Sequence, residues 1–272
     1  MNYGPTVRKL HPDWEFPDFT LTKLGNKRHR FAVFVFVINE GEKVKKQIRQ
    51  MQVFSEYIDI IIADGGSTDG SLDSSYLKKH KVTALLTKTG FGKLSAQMRM
   101  AFAWAIYEGY EGVVVVDGNG KDDISAIPLF INKLEEGYDH IQGSRFISGG
   151  KAINTPIERY LAVRLLHSPL ISLAARKRHT DTTNGFRAYS SRLLSDPRLA
   201  IFRDVFSTYE LHYYLAIESA RTGDYRLTEV PVTREYPKGV KTPTKISPIK
   251  GNIRVLKILL KSVTKGYKPS HK

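Results

Sequence analysis

Small, acidic or amide residues stand directly after three apolar segments of the chain. They are Asn39 and Glu40 after residues 31–38, Asp64 and Gly66 after residues 57–63, and Asp117, Gly118 and Asn119 after residues 112–116. Carboxylate and amide oxygens can hold a divalent metal ion against a diphosphate. A single stretch such as "DGGSTDG" is more typical of a turn, because Asp, Gly and Ser are common turn formers. Here three such stretches each follow a predicted strand and precede a predicted helix. This arrangement indicates that they share one binding crevice.

The segments that carry these residues alternate between strand and helix patterns. Strands are predicted at 31–38, 57–63, 82–87, 112–116 and 138–144, and helices at 42–51, 71–80, 93–109 and 124–137. This alternation predicts an α/β fold with a mainly parallel, doubly wound sheet. Ligands of such sheets bind outside the carboxyl ends of the strands. The residues that follow Ile38, Ala63 and Val116 should therefore meet at one edge.

The remaining segments give a simple division of the chain. Further patterns predict a helix at 157–176 that Pro169 could break, a short strand within 184–190, a helix at 207–220, a strand at 225–234 and a helix at about 250–264. Residues 1–30 are irregular in pattern and carry three prolines, so we expect an arm that lies on the domain. We predict a central domain at 31–240, with halves at 31–144 and 145–240, followed by a basic loop and helix at 241–272.

Composition excludes several kinds of chemistry. The 272-residue chain has no cysteine, which excludes disulfides, cysteine-bound zinc and thiol nucleophiles. Its longest apolar run, Phe31 to Ile38, is too short for a membrane-spanning helix of about 20 residues. No signal-peptide pattern follows Met1. We expect a cytoplasmic protein, with peripheral contact to the inner face of the cell membrane as its closest approach to lipid.

Positive charge is concentrated near the C-terminus. The formal net charge is +15, and residues 231–272 hold eleven Lys and Arg but one acid, Glu235. Basic segments of this kind bind nucleic acid, anionic lipid or phosphorylated substrates, or they simply form a solvated surface. No helix-turn-helix, zinc finger or aromatic stacking strip is present, so nucleic acid is not expected.

The final predicted helix is amphipathic. Its basic face holds Lys250, Arg254, Lys257 and Lys261, and its apolar face holds Ile249, Ile253, Leu256, Leu260 and Val263. Helices of this type lie on anionic membranes. The same pattern also fits a helix that packs its apolar face on the core and leaves the basic face in water.

Two motifs are similar to other nucleotide or metal loops but fail in detail. In "DGNGKDD", Asp122 stands where a calcium loop needs Gly, and Pro128 where it needs a bidentate Glu. In "TGFGKLS", Leu94 follows the lysine where a phosphate loop needs Ser or Thr. Its glycines can still bring the backbone and Lys93 close to a phosphate, or the segment is a plain start to the following helix.

Seven motifs in order resemble the inverting family 2 glycosyltransferases of the GT-A fold, and most of all the dolichyl-phosphate and polyprenyl-phosphate hexose transferases. They are "NEGE", "DGGSTDGS", "GFGKLSAQ", "VVDGNGKDD", "QGSRFISGG", "DTTNGFRAYS" and "EVPVTREYPKG", and they span residues 31–240. The resemblance implies a GT-A domain whose first half, 31–144, binds the nucleotide sugar. The second half, 145–240, would bind the acceptor.

The resemblance also implies roles for individual residues. Glu40 and Asp64 match positions that contact the nucleoside, and Asp117 and Asn119 match the acid pair that binds the metal. Arg145 matches an arginine that contacts a phosphate, and Arg164 falls near a second such arginine. Asp181 leads into the turn on the acceptor side, and Arg234 or Lys238 belongs to a loop that closes on the diphosphate. Asp117, Asp181 and Arg145 are thus the expected catalytic residues. The expected donor site consists of Asn39, Glu40, Asp64, Gly66, Lys93, Asp117, Gly118, Asn119, Arg145, Arg164, Arg234 and Lys238.

This chain departs from the family pattern at its metal site. Asn119 replaces an acid, Gly65 replaces the second Asp of the "DDGS" pattern, and Lys121 stands where a polar ligand is common. Phe36 and Ile38 replace a Pro and a Tyr. A neutral Asn is a weaker partner for Mg²⁺ or Mn²⁺ than a carboxylate. We expect a divalent metal held by Asp117 and Asn119, although Lys121 could supply the charge that a metal would bring.

The implied reaction moves a hexose from a UDP- or GDP-sugar to a polyprenyl phosphate or saccharide, with inversion, in the synthesis of surface glycan, lipopolysaccharide or a polyprenyl-linked saccharide. Charge on the departing diphosphate must be offset, and Lys241 and Lys245 could assist the arginines named above. A hydroxyl acceptor would need a general base, with Asp181 and Glu210 as candidates, whereas an ionised phosphate would not.

Two other functions remain open at this stage. One is a sugar-nucleotide-handling enzyme of another class, such as a nucleotidyltransferase, although "VINEGEKV" lacks the Gly- and Arg-rich loop of those enzymes. The other is a basic binding protein with impaired catalysis, which Asn119 and Gly65 would explain.

Overall fold

Strands and helices alternate along the chain much as the sequence predicts. A computed structural model describes residues 4–238 and 250–269. The described strands are β1 (Phe19–Lys23), β2 (Phe31–Val37), β3 (Asp59–Asp64), β4 (Val82–Lys88), β5 (Gly112–Asp117), β6 (His140–Ser144), β7 (Lys151–Ile153), β8 (Arg187–Ser190), β9 (Leu227–Pro231) and β10 (Thr233–Glu235). The α-helices are α1 (Gly4–Leu10), α2 (Glu42–Met51), α3 (Ser74–Lys79), α4 (Leu94–Tyr107), α5 (Ile127–Glu135), α6 (Ile157–Leu161), α7 (Ser168–Ala175), α8 (Ser191–Leu194), α9 (Glu210–Arg221) and α10 (Lys250–Val263).

Eight of these strands form one sheet in the order β1-β4-β3-β2-β5-β8-β6-β9. The pairs β4/β3, β3/β2, β2/β5 and β6/β9 are parallel. Strand β8 runs antiparallel to both of its neighbours, and β1 runs antiparallel to β4 at the sheet edge. The predicted α/β fold with a mainly parallel sheet is therefore confirmed. Strands β10 and β7 form a separate parallel pair.

The central strand shows why the sheet is covered on both faces. All seven residues of β2 are buried, as expected for a strand between two helical layers. Phe34 and Phe36 pack into the cluster that contains Trp104 of α4, whereas Val33 and Val35 pack into the cluster that contains α2 and α5 residues. This alternation follows from the two-residue period of a strand. The carboxyl ends of β2, β3 and β5 consequently emerge side by side between the two layers.

The N-terminal arm is more regular than predicted. Residues 19–23 form β1, in which Phe19 and Leu21 are buried and the threonine between them is exposed. Five residues of alternating pattern were too few to distinguish this strand from an irregular arm. The strand covers the edge of β4 and so joins the arm to the sheet.

The helical segment 157–175 is continuous through its proline. A π-helical turn, Ala162–His167, connects α6 to α7, and Pro169 lies in the first turn of α7. Proline lacks the N–H that would bond to the preceding helical turn, and the change to π-helical bonding lies directly before it. The predicted strand at 225–234 is instead two strands, which Val232 separates. Val232 bonds through its backbone to Ser144 and Lys151, and β10 consequently pairs with β7.

Across the described parts of the chain, no helix combines the length and the apolar character that crossing a bilayer requires.

Candidate active site

A cavity of about 590 Å³ opens at the carboxyl ends of β2, β3 and β5. Among the described residues, six cationic and two acidic side chains line it: Lys43, Lys88, Lys93, Lys121, Arg159 and Arg234, with Glu40 and Asp117. Apolar and small residues such as Phe36, Ile38 and Gly65 complete the wall. A concave site with this excess of positive charge favours an anionic ligand.

Asn39 and Asp64 connect the loops after β2 and β3. The Asn39 N–H donates to Ser67 Oγ over 2.9 Å, and Asn39 Oδ1 accepts from the Thr68 N–H over 2.8 Å. The buried Asp64 carboxylate accepts from the Ser67 N–H over 2.9 Å and from Ser67 Oγ over 2.6 Å. These are the side-chain bonds of a tight turn. Asn39, Asp64 and Gly66 thus lie at the sheet edge that the sequence predicts. In the loop after β3, Gly65 lines the cavity.

Asp117 lies where two glycines permit close approach. A Cβ on Gly118 would lie 2.7 Å from Val37 Cγ2, and a Cβ on Gly185 would lie 3.0 Å from Asp117 Oδ1. The first distance is shorter than real Cβ contacts allow, and the second leaves little room for the carboxylate. Glycine at both positions therefore keeps the end of β5 against β2 and leaves space for the Asp117 side chain.

Asn119 and Arg234 both contact the same oxygen of Asp117. Asn119 Nδ2 lies 3.2 Å from Asp117 Oδ2, and Arg234 Nη2 also lies 3.2 Å from it. The orientation of the Asn119 amide is set by its oxygen, which accepts from the Lys121 N–H. The other Arg234 nitrogen, Nη1, pairs with Asp122, whose side chain is fully buried. Sequence reasoning placed Arg234 in a closing loop, but it lies in β10 with a buried side chain.

Three cations surround the ring of Tyr236. Lys121 Nζ lies 5.3 Å from the ring centroid, and the Arg159 and Arg234 guanidinium carbons lie 5.7 Å and 5.9 Å from it. Burial lowers the pKa of Lys121, and the charge of Arg234 lowers it further. Burial also lowers the pKa of Arg234, but Asp122 and Asp117 more than offset this, so its pKa is raised and it stays charged.

Arg145 and Asp181 form a buried ion pair and do not line the cavity. Arg164 is exposed on the π-helical turn, with its guanidinium carbon 5.2 Å from the centroid of the Phe146 ring, and it does not line the cavity either. Lys238 is exposed. Glu210 accepts from the Thr208 N–H at the start of α9. Lys241 and Lys245 lie outside the described residues.

Several cavity residues were not singled out from the sequence. They are Lys43, Lys88, Gln97, Arg159 and Tyr209. Arg159 lies in α6, five positions before the arginine that the resemblance suggested. The only sequence signal for these residues was their place at the start of a predicted helix or the end of a predicted strand, which many surface residues share.

The side chains around Asp117 offer a divalent metal few oxygen ligands of their own. Mg²⁺ and Mn²⁺ are bound by oxygen ligands. The Asn119 nitrogen faces Asp117, and the Asn119 oxygen accepts a hydrogen bond from the Lys121 backbone N–H. Asp122 is paired with Arg234. Within residues 4–238 and 250–269, no group of three or more His, Cys, Asp or Glu side chains is placed to hold a metal ion.

Comparison with protein-family models gives no match, but individual relatives are recognisable. The chain is 28% identical to glycosyltransferase AglJ of Haloferax volcanii over 232 residues, which covers 83% of this chain and 70% of that protein. It is 26% identical to an undecaprenyl-phosphate mannosyltransferase of Micrococcus luteus over 75% of this chain and 83% of the relative. It is 24% identical to a polyprenol monophosphomannose synthase of Mycolicibacterium smegmatis over 75% of this chain and 77% of the relative.

Solved structures agree on the fold. Glucosyl-3-phosphoglycerate synthase from Mycobacterium tuberculosis, in complex with Mn²⁺, UDP and phosphoglyceric acid, superposes with a TM-score of 0.61 at 15% identity, covering 98% of this chain and 83% of that one. The same enzyme with Mg²⁺ and UDP gives a TM-score of 0.57 at 15% identity, covering 98% and 84%. These neighbours show that the chain has their fold. Together with the relatives, they identify the chain as a glycosyltransferase of the GT-A fold that resembles the polyprenyl-phosphate hexose transferases.

Proposed function

We propose that this chain transfers a hexose from a nucleoside-diphosphate sugar to a polyprenyl phosphate, with inversion at the anomeric carbon, in glycan synthesis. The observation that carries the proposal is the cationic cavity at the ends of β2, β3 and β5, with Asp117 among its lining. The relatives named as undecaprenyl-phosphate and polyprenol-phosphate mannosyltransferases support the acceptor class.

The donor's diphosphate suits the charge of this cavity. As the sugar leaves, negative charge builds on the diphosphate, and fixed cations in a partly closed site stabilise that charge most effectively. Lys88, Lys93 and Arg159 are placed to act in this way because they line the cavity. Glu40 and Gly65 line the same cavity and are proposed to face the nucleoside, and Asp64 would set the turn that presents Gly65.

Both predicted halves of the domain contribute to the cavity. Glu40 and Asp117 come from 31–144, whereas Arg159 and Tyr209 come from 145–240. This supports the proposed division into a donor half and an acceptor half around one site.

An ionised phosphate acceptor is favoured because both carboxylates that the sequence offered as general bases are engaged elsewhere. A hydroxyl acceptor would need a general base beside it, but Asp181 is held by Arg145 and Glu210 is held by Thr208 at the start of α9. A phosphate oxygen attacks without proton removal. We therefore favour polyprenyl phosphate over a saccharide hydroxyl as the acceptor.

A membrane-borne acceptor is matched by an exposed apolar surface on two neighbouring helical segments. On the segment 157–175, Leu165 and Leu173 are 72% and 77% exposed. On α10, Ile253, Leu256 and Leu260 are 51%, 39% and 48% exposed, whereas Ile258 and Leu259 pack in a cluster with Ile171 of α7. Exposed Arg164, Arg254 and Lys257 accompany these residues. We propose that this surface rests on the anionic cytoplasmic leaflet.

The proposal is tested by incubating the protein with UDP- and GDP-hexoses and a short polyprenyl phosphate. We expect nucleotide release together with a lipid-soluble sugar from one donor, and NMR of the product gives the anomeric configuration. Asp117→Asn should lose most of this activity. Asp123→Asn is the matched control, because the exposed Asp123 side chain caps a short helical turn by accepting from the Ser125 N–H, and the substitution leaves the backbone unchanged. Absence of turnover with every donor, or full activity in Asp117→Asn, would contradict the proposal.

A further inference from the structure

The Asp117 carboxylate already carries a cation that the chain itself supplies. Arg234 Nη2 lies 3.2 Å from Asp117 Oδ2, and the Arg234 side chain is only 10% exposed. A guanidinium at this distance from a carboxylate forms a charge-assisted hydrogen bond. Arg234 therefore stands beside the acid to which the resemblance assigns a metal ion.

Arg234 is fixed in this place from two directions. Its Nη1 pairs with Asp122, whose side chain is fully buried. On either side of Arg234, backbone bonds connect β10 to the loop after β5: the Asp123 N–H donates to the Thr233 oxygen over 2.9 Å, and the Glu235 N–H donates to the Lys121 oxygen over 2.8 Å. Withdrawing Arg234 would leave the charge of Asp122 buried and unpaired, which is strongly unfavourable.

Resident cations already offset the charge of Asp117. Arg234 pairs with both Asp117 and Asp122, and Lys121 lies close enough to Asp117 for their charges to attract. The Asn119 amide adds a hydrogen-bond donor to Asp117 where the family places a second acid. A divalent cation would meet two resident cations at this point, and the Asn119 amide, whose nitrogen faces Asp117, would not present its oxygen to it.

We propose that Arg234 provides at Asp117 the positive charge that a metal ion provides in other members of the fold, so that this chain binds the donor's diphosphate without a metal. The inference rests on the proposed function, since it concerns the same donor site. Arg234 acts by its charge and by its fixed position beside Asp117 in the wall of the cavity, and Lys121 adds to that charge.

Calorimetric titration of UDP and of GDP into the full chain tests this, once in EDTA and once in excess Mn²⁺. For the nucleotide that binds, we expect the dissociation constant to differ by less than about threefold between the two buffers. Binding that appears only with Mn²⁺, or that strengthens more than about tenfold with it, would overturn the inference alone. Failure of both nucleotides to bind in either buffer would overturn the proposed function and the inference with it.

Two variants assign the effect to Arg234. Arg234→Lys keeps the charge and should retain metal-independent binding. The double variant Arg234→Met with Asp122→Leu removes the buried pair together, so that no charge is left buried without a partner. It should bind at least about tenfold more weakly in EDTA and recover part of this loss with Mn²⁺. Arg192→Met, which removes an arginine–aspartate pair outside the cavity, is the control. Unchanged affinity of the double variant in EDTA would refute the role of Arg234.

Discussion

Asp181 accepts hydrogen bonds from Arg145 at both of its carboxylate oxygens. Arg145 Nε lies 2.6 Å from Oδ2 and Arg145 Nη2 lies 2.9 Å from Oδ1, and the two side chains are 3% and 0% exposed. Arg145 also donates to Thr183, which follows Asp181 in the turn toward β8. The pair therefore joins the end of β6 to the segment that brings Gly185 against Asp117.

Asp181→Asn should act mainly on stability. The change leaves the Arg145 guanidinium buried beside a neutral amide, and breaking one side of a buried ion pair typically costs about 3–5 kcal/mol. We expect a loss of this size in the free energy of unfolding from urea denaturation. Glu229→Gln, which alters a neighbouring carboxylate that accepts from Thr180, is the control for a simple amide replacement. Wild-type stability with lost turnover in Asp181→Asn would instead restore the general-base role.

Gln97 connects the ends of the two strands that border the donor site. Its Nε2 donates to the Val37 oxygen over 3.1 Å and to the Ala63 oxygen over 2.5 Å. Gln97→Leu removes both bonds. The Val37 oxygen keeps its bond from the Gly65 N–H, so we expect a loss of about 0.5–1.5 kcal/mol for each bond removed. We expect lower thermal stability and weaker nucleotide affinity, because Val37 and Gly65 line the cavity. Gln52→Leu, at an exposed position, should change neither, and equal behaviour of the two variants would contradict this role.

The sequence alone predicted a mainly parallel sheet, because a buried strand can be recognised from a few consecutive residues. Eight consecutive apolar residues, 31–38, predict the strand that the structure places at Phe31–Val37. The rule that ligands bind at the carboxyl ends of parallel strands brings Asp117 to the right edge. The partner of Asp117 was not predictable in this way. Arg234 follows it by 117 positions, and only the pairing of β10 with β7 and the bridge between Asp122 and Arg234 bring the two together.

The choice between two arginines failed for a similar reason. Arg159 and Arg164 lie on one predicted helix, and periodicity alone does not say which one faces the cavity. The answer depends on how α6 packs and on the π-helical turn that follows it. The apolar face predicted for α10 is only partly the face that packs on the core. Ile258 and Leu259 are buried there, with Val255 and the predicted Val263 packed against the same cluster, whereas the predicted Ile253, Leu256 and Leu260 are exposed. Ile249 lies outside the described residues.

Acid should destabilise the fold through three buried histidines. Burial lowers the pKa of His140 and of His212 well below the usual value, and burial with the nearby charge of Arg187 lowers the pKa of His179 to about 4. As pH falls below about 6.5, the unfolded chain takes up protons that the folded chain does not, so unfolding becomes more favourable. His179 alone should account for a loss on the order of 3 kcal/mol between pH 6.5 and pH 4.

Urea denaturation across this pH range measures the effect. His179→Gln should make the free energy of unfolding depend less steeply on pH. The contribution of Asp196 separates from that of the histidines. Hydrogen bonds from Arg198 and from Tyr225 lower its pKa to about 2 despite partial burial, so the stability that it contributes is lost only below about pH 4. Stability that stays constant from neutral pH down to pH 4.5 would show that these histidines do not remain neutral in the folded chain.

The exposed leucines of the segment 157–175 should govern membrane binding. Replacing Leu165 and Leu173 with Ser removes two side chains that are more than 70% exposed, so the free energy of unfolding should change by less than about 1 kcal/mol. Each leucine that enters the lipid boundary adds roughly 1.5–3 kcal/mol to binding. We therefore expect the double variant to lose most of its flotation with vesicles that contain anionic lipid. Val53→Ser, at a 63% exposed position in another segment, is the matched control. Flotation that depends on lipid charge but is equal in all three proteins would assign binding to the basic residues alone and contradict an apolar contact.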